Sequence, residues 1–318
     1  MISTRQKVSI VIPTYNQSAY LLRAVKSALM QDYPSLEVIV SDDSPNTDSL
    51  TEIKSLLEDK RLKYYHNNPR LGRVLNYRKC LYSYATGAWV LNLDGDDYLI
   101  DNSFISKAIE VIEKNENIVF VQAGGLVINS ENIILQTKLP ACKGNFCVQT
   151  GWEYVRNFAK KRNFLHLTTL YDADYARKID FYRFSGLSSD LESFMRLALH
   201  GKIGILNIKA GVWFHHHQNS SNNAGEEEII GNSLWINNVR SYAINHALVN
   251  RFFISIWYYV VKNNELSYEF IRRFQQKHKQ DKLKYLINIF KRYPLTFFFP
   301  VFQKKLVVSL FKKNRNLG

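Results

Sequence analysis

The stretch VSIVIPTYNQSAYLLRAVKSALMQDYPSLEVIVSDDS, residues 8–44, decides the fold. Its opening seven residues, Val8 to Thr14, are β-branched and continuously apolar, as in a strand buried on both faces. In SAYLLRAVKSALMQ, Leu22, Val25, Ala28 and Leu29 recur at helical spacing, and LEVIVSDDS is a second apolar run that ends in Asp42 and Asp43. Working outward, TDSLTEIKSLLED puts Leu50, Ile53, Leu56 and Leu57 on one helix face, with Ser49 and Glu52 at capping-box spacing. RLKYYHN reads as a third strand, RVLNYRKCLYSYA as a helix and AWVLNLD as a fourth strand. Strands alternating with helices imply an α/β fold, a Rossmann-like and mostly parallel sheet with helices on both faces. Ligands bind such sheets beyond the carboxyl ends of the strands. Asp42 and Asp43 end strand two and Asp94, Asp96 and Asp97 end strand four, so both acid groups are expected at one crevice.

The composition of the 318-residue chain is that of a globular protein, with 46% hydrophobic and 22% charged residues. Its net charge of +14 is unevenly placed: Lys262 to Gly318 holds 14 Lys/Arg against three acids, leaving the preceding body nearly neutral. After about residue 150 the alternation fades, and from about residue 240 the chain reads as helical, basic and aromatic. The three cysteines, Cys80, Cys142 and Cys147, are too few for a disulfide framework, and CKGNFC has no second Cys or His pair beside it to complete a zinc site. The N-terminus lacks the apolar core of a signal peptide, and the longest apolar run, FFISIWYYVV from Phe252 to Val261, falls short of the ~18 residues of a membrane span. A cytoplasmic protein is the expectation. Neither GxGxxG after the first strand nor a P-loop GxxxxGKS/T is present, which excludes the common dinucleotide and NTP fingerprints.

Three carboxylates within LNLDGDD repel one another; unit charges ~4 Å apart cost about 4 kcal/mol at a protein-surface dielectric. Water can solvate such a turn, or a cation and its anionic partner can complete it. The order and spacing of VSIVIPTYNQSAYL, VIVSDDSPNTDS and LNLDGDD resemble the family 2 glycosyltransferases, which have the GT-A fold; the resemblance runs from about Val8 to about Asn222. It implies residues 1–240 as the catalytic domain, with a nucleotide-sugar half over about 1–100 and an acceptor half over about 101–240, followed by a basic helical region at 241–318. It also implies a nucleotide-diphosphate sugar donor, UDP before others, and Mg²⁺ or Mn²⁺ on the leaving pyrophosphate. Hard cations of this kind take oxygen ligands, often one or two carboxylates plus phosphate.

Carried onto this chain, the resemblance assigns Asp94 and Asp96, with Gly95 between them, to the metal and donor, and Asp42 and Asp43 to the nucleoside. Pro13, Thr14 and Tyr15 become the wall of the nucleotide pocket. PRLGRVLNYRKC supplies Arg73, and less surely Arg70 or Arg78, beside phosphate or base. SSDLESFMRLALHGKIGIL resembles the family's acidic pair followed by an aromatic, Arg and Gly, which puts Asp190 on the catalytic base of an inverting transfer. The residue before it is Ser189 where the family usually has Glu. VWFHHHQNSSN resembles the late His segment, with His216 or His217 as a further metal or pyrophosphate contact; on a strand His215 and His217 point one way and His216 the other.

In the tail, DKLKYLINIFKR places Leu283, Leu286, Ile287 and Phe290 on one helical face with Lys282, Lys284, Lys291 and Arg292 around it, and YPLTFFFPVFQKKLVVSLFKK follows. Aromatics beside lysines suit an anionic bilayer surface. The expectation is a peripheral protein at the inner face of the plasma membrane that acts on a glycan acceptor, lipid-linked, in polysaccharide assembly. A sugar nucleotidyltransferase would want a glycine-rich phosphate loop after the first strand, and PTYNQSAY has none. A nucleic-acid-binding protein would explain the basic pI but not the acids at strand ends. A sugar-binding protein without activity remains as the alternative that the acids Asp96 and Asp190 argue against.

Overall fold

The computed structural model describes residues 6–140, 142–158, 164–217, 219, 231–276 and 281–293. The chain forms two compact units, Met1–Asn223 and Ala224–Gly318. The first is built on a ten-stranded sheet. Its strands are β1 (Val8–Thr14), β2 (Leu36–Asp42), β3 (Leu62–His66), β4 (Trp89–Asn92), β5 (Tyr98–Leu99), β6 (Ile118–Asn129), β7 (Ile134–Lys138), β8 (Phe146–Thr150), β9 (Thr169–Asp172) and β10 (Lys202–His215). The order is β3-β2-β1-β4-β9-β6-β10-β5, with β7 paired to β6 and β8 to β10. The four strands read from the sequence alternation are parallel to one another. Beyond them the sheet is mixed: β9 is antiparallel to both β4 and β6, while β6 and β10 run parallel. Where the sequence alternation fades, the strands pair through these non-local antiparallel contacts.

Helices α1 (Ser18–Leu29), α2 (Asp48–Ile53), α3 (Arg73–Lys79), α4 (Phe104–Lys114), α5 (Gly151–Phe158), α6 (Ala173–Lys178) and α7 (Ser189–Ala198) complete this unit. Both faces of the parallel strands are covered. Val8, Ile10 and Ile12 join a core with Leu21, Ala24, Val25 and Ala28 of α1 and Phe104, Ile105 and Ala108 of α4. Val11, Ile39 and Val90, which alternate to the opposite face, are also fully buried. Of the α1 stripe read from the sequence, Val25 and Ala28 are fully buried, while Leu22 and Leu29 are half-buried and Leu21 and Ala24 lie inside instead. The capping box expected at Ser49 and Glu52 does not form: α2 starts at Asp48 behind Thr47, which makes no side-chain cap, and Ser49 is buried. The helix read over residues 73–85 is α3 followed by a π-helical turn, Cys80–Tyr84.

In the second unit, α8 (Leu234–Asn245), α9 (Arg251–Gln276) and α10 (Lys282–Arg292) are helical. Ile289 of α10 is buried against Leu266, Phe270 and Ile271 of α9, with Tyr285 and Leu286 packed alongside. Leu283, Ile287 and Phe290, spaced i, i+4, i+7, are exposed by 69%, 45% and 47%. The apolar face read from the sequence is therefore divided, Leu286 packing inward and these three outward. The segment from residue 294 onward, with its further aromatics and lysines, lies outside the described residues. No helix among the described residues is long and apolar enough to cross a membrane.

Candidate active site

The parallel strands end at one edge: Thr14 of β1 is in register with Asp42 of β2, and Asp42 with His66 of β3. Asp42 is buried; one carboxylate oxygen accepts from the Tyr64 hydroxyl at 2.8 Å and the other from the Ser44 amide at 2.9 Å. Asp43, also buried, accepts from the amides of Leu71 at 2.8 Å and Gly72 at 2.7 Å, with Arg70 Nε 3.6 Å away. Gly72 takes a φ of +87°, where a Cβ would be strained, so the chain turns there to hand its amide to Asp43 and enter α3. The acid pair thus anchors the wall of the crevice. Each carboxylate still has lone pairs for a ligand, since two oxygens offer about four acceptor sites. Above this wall the Arg70 guanidinium lies 3.8 Å over the exposed Tyr15 ring.

The DGDD turn leaves β4 and closes against the end of β1. The Gly95 amide donates to the Pro13 carbonyl at 3.2 Å. A Cβ at Gly95 would stand 2.5 Å from Thr14 Oγ1 and 2.8 Å from its Cβ, so only glycine lets the turn approach β1 this closely. Each acid has its own partner. Asp94 accepts from the Tyr77 hydroxyl at 2.8 Å. Asp96 accepts from His216 Nε2 at 2.8 Å, taken as the protonated nitrogen, and from Asn219 Nδ2 at 3.2 Å. Asp97 accepts from the Phe214 amide at 2.9 Å. Arg23 of α1 donates to the Asp96 carbonyl at 3.2 Å, its guanidinium held between the rings of Tyr98 at 4.0 Å and Phe214 at 4.4 Å. Burial, then the charge of Asp96, pushes the Asp94 carboxyl up to about 7, against the opposing pull of Tyr77 and Arg73. The same two causes hold Asp97 well above the usual carboxylate range.

Asp190 opens α7 in its first turn. Its side chain makes no hydrogen bond among the described residues, and it is near enough to Arg73, Tyr77, Asp94 and His166 for its charge to act on them. Arg73 donates to the Gly186 carbonyl at 2.7 Å, tying α3 to the segment before α7. Arg78 is not a crevice group: it bonds Asp180 at 2.7 Å and the Phe181 carbonyl at 2.9 Å. The Glu192 and Arg196 of ESFMR form a fully buried bidentate pair at 2.8 and 2.9 Å. Arg196 also donates to the carbonyls of Ile179 and Asp180. Ser189 is buried, and its hydroxyl has no partner among the described residues.

Of the residues singled out in the sequence, the structure gathers Pro13, Thr14, Asp42, Asp43, Arg73, Asp94, Gly95, Asp96 and His216 around this edge. His216, just past the end of β10, is buried against Asp96, while His217, in the turn that follows, is exposed. Asn219, Tyr77, Arg23 and His166 escaped the sequence reading. A signal for Arg23 was present: Tyr20, Arg23 and Ser27 form one helical stripe, which meets His216, the Asp96 carbonyl and the Leu99 amide of β5 in turn. No group of three or more His, Cys, Asp or Glu side chains arranged to hold a metal ion occurs among the described residues. A Mg²⁺ or Mn²⁺ that draws most ligands from phosphate and water fits nonetheless. Asp94 and Asp96 each keep one carboxylate oxygen that no described residue claims, and mutual repulsion there favours a cation.

The family model for Glycosyl transferase family 2 matches residues 9–177. The chain is 37% identical over 99 residues to a GalNAc(5)-diNAcBac-PP-undecaprenol beta-1,3-glucosyltransferase of Campylobacter jejuni, covering 30% of this chain and 32% of that protein. It is 33% identical over 127 residues to the UDP-Glc:alpha-D-GlcNAc-diphosphoundecaprenol beta-1,3-glucosyltransferase WfaP of Escherichia coli, covering 40% and 49%. The match therefore spans less than half the length of these relatives. Among solved structures, S. aureus TarS in complex with UDP superposes with a TM-score of 0.64 at 19% identity, over 89% of this chain and 78% of that one, a likeness of fold.

Proposed function

Because the chain belongs to glycosyl transferase family 2, we propose that it is an inverting transferase that moves a sugar from a nucleotide-diphosphate sugar, a UDP-sugar before others, to a hydroxyl of a lipid-linked glycan in polysaccharide assembly. The observation that supports this reading is Asp190, a carboxylate with no side-chain hydrogen-bond partner among the described residues, near enough to Asp94 of the DGDD turn for its charge to raise that carboxyl. Asp42, Asp43, Tyr15 and Arg70 line the place for the nucleoside. Asp94 and Asp96 would hold Mg²⁺ or Mn²⁺, which supplies charge neutralisation on the leaving diphosphate when bound. Asp190 takes the proton of the acceptor hydroxyl as its oxygen bonds the anomeric carbon and the carbon–phosphate-oxygen bond breaks. A single displacement of this kind, with one base opposite the leaving group, inverts the anomeric centre. Relatives named for undecaprenyl-diphosphate glycans support the acceptor class. The exposed Leu283, Ile287 and Phe290, with Lys284, Lys291 and Arg292 beside them, support a peripheral seat on an anionic membrane.

The test is thermal unfolding with UDP, dTDP, GDP and CDP, each with and without Mn²⁺, on the wild type, Asp96→Ala and Asp190→Asn. A ligand at ~100 times its Kd stabilises by about 2.7 kcal/mol. One nucleotide should stabilise the wild type and Asp190→Asn but not Asp96→Ala, and Asp190→Asn should lose transfer by about 10²–10⁴-fold. Stabilisation by none of the four, or full transfer by Asp190→Asn, refutes the assignment.

A further inference from the structure

Beside Tyr77, whose hydroxyl bonds Asp94, and within reach of the charge of Asp190 stands a side chain that the transfer chemistry above leaves unused. His166 opens the short turn His166–Thr168 ahead of β9, and its ring meets Tyr77, Tyr182 and Phe194 edge-on at 5.6–6.0 Å between centroids. Its Nε2 lies 2.8 Å from the Tyr182 hydroxyl. That hydroxyl has one proton to give; of the other acceptors beside it, Asn92 Oδ1 is at 3.5 Å, beyond the 2.5–3.0 Å of a sound O–H···O bond, and the Tyr171 hydroxyl, also close by, falls outside hydrogen-bond geometry among the described residues. The proton therefore goes to Nε2, and a neutral imidazole with Nε2 accepting carries its own proton on Nδ1. Burial keeps the ring neutral, pushing its pKa down to about 4, with Arg73 adding to this and Asp190 opposing it. Nδ1 has no partner among the described residues.

We propose that His166 is a donor-selecting residue, whose Nδ1–H donates to a hydroxyl of the sugar being transferred. This rests on the nucleotide-sugar reading above: the sugar must lie between the diphosphate at Asp94 and Asp96 and the base at Asp190, and His166 is the neutral donor beside that path. Arg73 and the acids are charged and bind phosphate, metal or proton; a fixed neutral donor is the kind of group that tells one hydroxyl configuration from another. A site built to hydrogen-bond a substrate hydroxyl discriminates strongly against analogues that leave it unpaired. Tyr182 is its positioning residue, since the hydroxyl sets which nitrogen carries the proton.

The experiment is calorimetric titration of the full chain, in Mn²⁺, with UDP and with UDP-glucose, UDP-galactose, UDP-GlcNAc and UDP-GalNAc. It is run on the wild type, His166→Ala, His166→Gln and Tyr182→Phe. In His166→Ala the affinity for UDP should be unchanged and that for the preferred UDP-sugar about tenfold lower, the scale of one lost hydrogen bond that leaves its partner unpaired. His166→Gln, which retains an N–H donor, should fall between, and Tyr182→Phe should weaken the UDP-sugar several-fold and spare UDP. Two-bond ¹H–¹⁵N spectra of the wild type should show His166 neutral with the proton on Nδ1. Equal losses for UDP and UDP-sugar, no loss, or a proton on Nε2 overturns the inference while leaving the nucleotide-sugar reading intact. A wild type that binds no UDP, and none of GDP, dTDP or CDP, overturns both.

Discussion

Replacing Arg196 by Met should destabilise α7 and the turn that precedes it. Arg196 and Glu192 are both completely buried and joined at 2.8 and 2.9 Å, one turn apart on α7. Arg196 further holds the carbonyls of Ile179 and Asp180, in a turn where Asp180 and Tyr182 take positive φ of 56° and 58°. A non-glycine residue in that region costs about 1–2 kcal/mol, so the turn persists only because its surroundings fix it. Removing one partner of a buried pair costs roughly 3–5 kcal/mol, because the other charge is left without compensation. Here Arg183 already stands 3.4 Å from Glu192 and is 39% exposed, so it recovers no more than ~1 kcal/mol. The expected loss for Arg196→Met is therefore about 3–4 kcal/mol in urea unfolding followed by circular dichroism, with an unchanged m-value. Glu192→Leu/Arg196→Met removes both charges and should be more stable than Arg196→Met alone. A loss below 1 kcal/mol in the single variant, or a double variant no better than the single, refutes this account of the turn that carries Tyr182.

Two further outcomes follow from charge. Lys7, Lys63, Ser9 and Thr86 surround the buried Glu37 at the amino ends of the strands, and although burial opposes it, these partners bring its carboxyl down to about 2. A depressed folded pKa gives stability that is present above the ordinary value of 4.5 and lost as pH falls from there towards 2, so Glu37→Gln should flatten the acid limb of a Tm–pH curve. Asp94 has the opposite sign: raised from 3.8 to about 7, it stabilises the metal-free chain below pH 4, and that contribution fades as pH rises through 7, a slope that Asp94→Asn should remove. On vesicles of 70:30 phosphatidylcholine and phosphatidylglycerol, Lys284→Glu/Lys291→Glu/Arg292→Glu should bind at least a hundredfold more weakly than the wild type, at ~1 kcal/mol for each basic residue removed. Equal sedimentation with both proteins would discard the membrane seat.

The parallel half of the fold was legible because β1, β2 and β4 are buried on both faces and the helices between them carry apolar stripes, and periodicity reports local burial directly. Residues 118–215 were not legible in that way: β9 enters between β4 and β6, and β10 pairs with three other strands, contacts between residues tens of positions apart that leave no period in the sequence. The acids at strand ends could be placed because a parallel sheet brings its carboxyl ends to one edge. Their partners could not. Tyr77 reads as an ordinary helix aromatic until Asp94 is set 2.8 Å from its hydroxyl, and Arg23 as an ordinary solvated cation until Tyr98 and Phe214 close on it. Arg78 shows the converse, since a basic residue in the same helix as Arg73 turns to Asp180. His216 and His217 were separable only once the end of β10 fixed which side chain faces the acid.

The crowding in LNLDGDD that first pointed to a cation has a more particular explanation in the structure. The three acids do not share one environment: Asp97 meets a backbone amide and stands near Arg23, Asp96 meets His216 and Asn219, and Asp94 meets Tyr77 and stands near Arg73. Asp97 spends its hydrogen bond on Phe214 and so ties the turn to β10, a structural use of a carboxylate. Asp94 and Asp96 face the crevice with one oxygen each unclaimed, and their repulsion is what raises Asp94 after burial itself. A divalent ion held there would offset that repulsion, and its uptake would be coupled to proton release. The same turn thus combines a fixed acid that shapes the edge with a pair of acids open to the crevice.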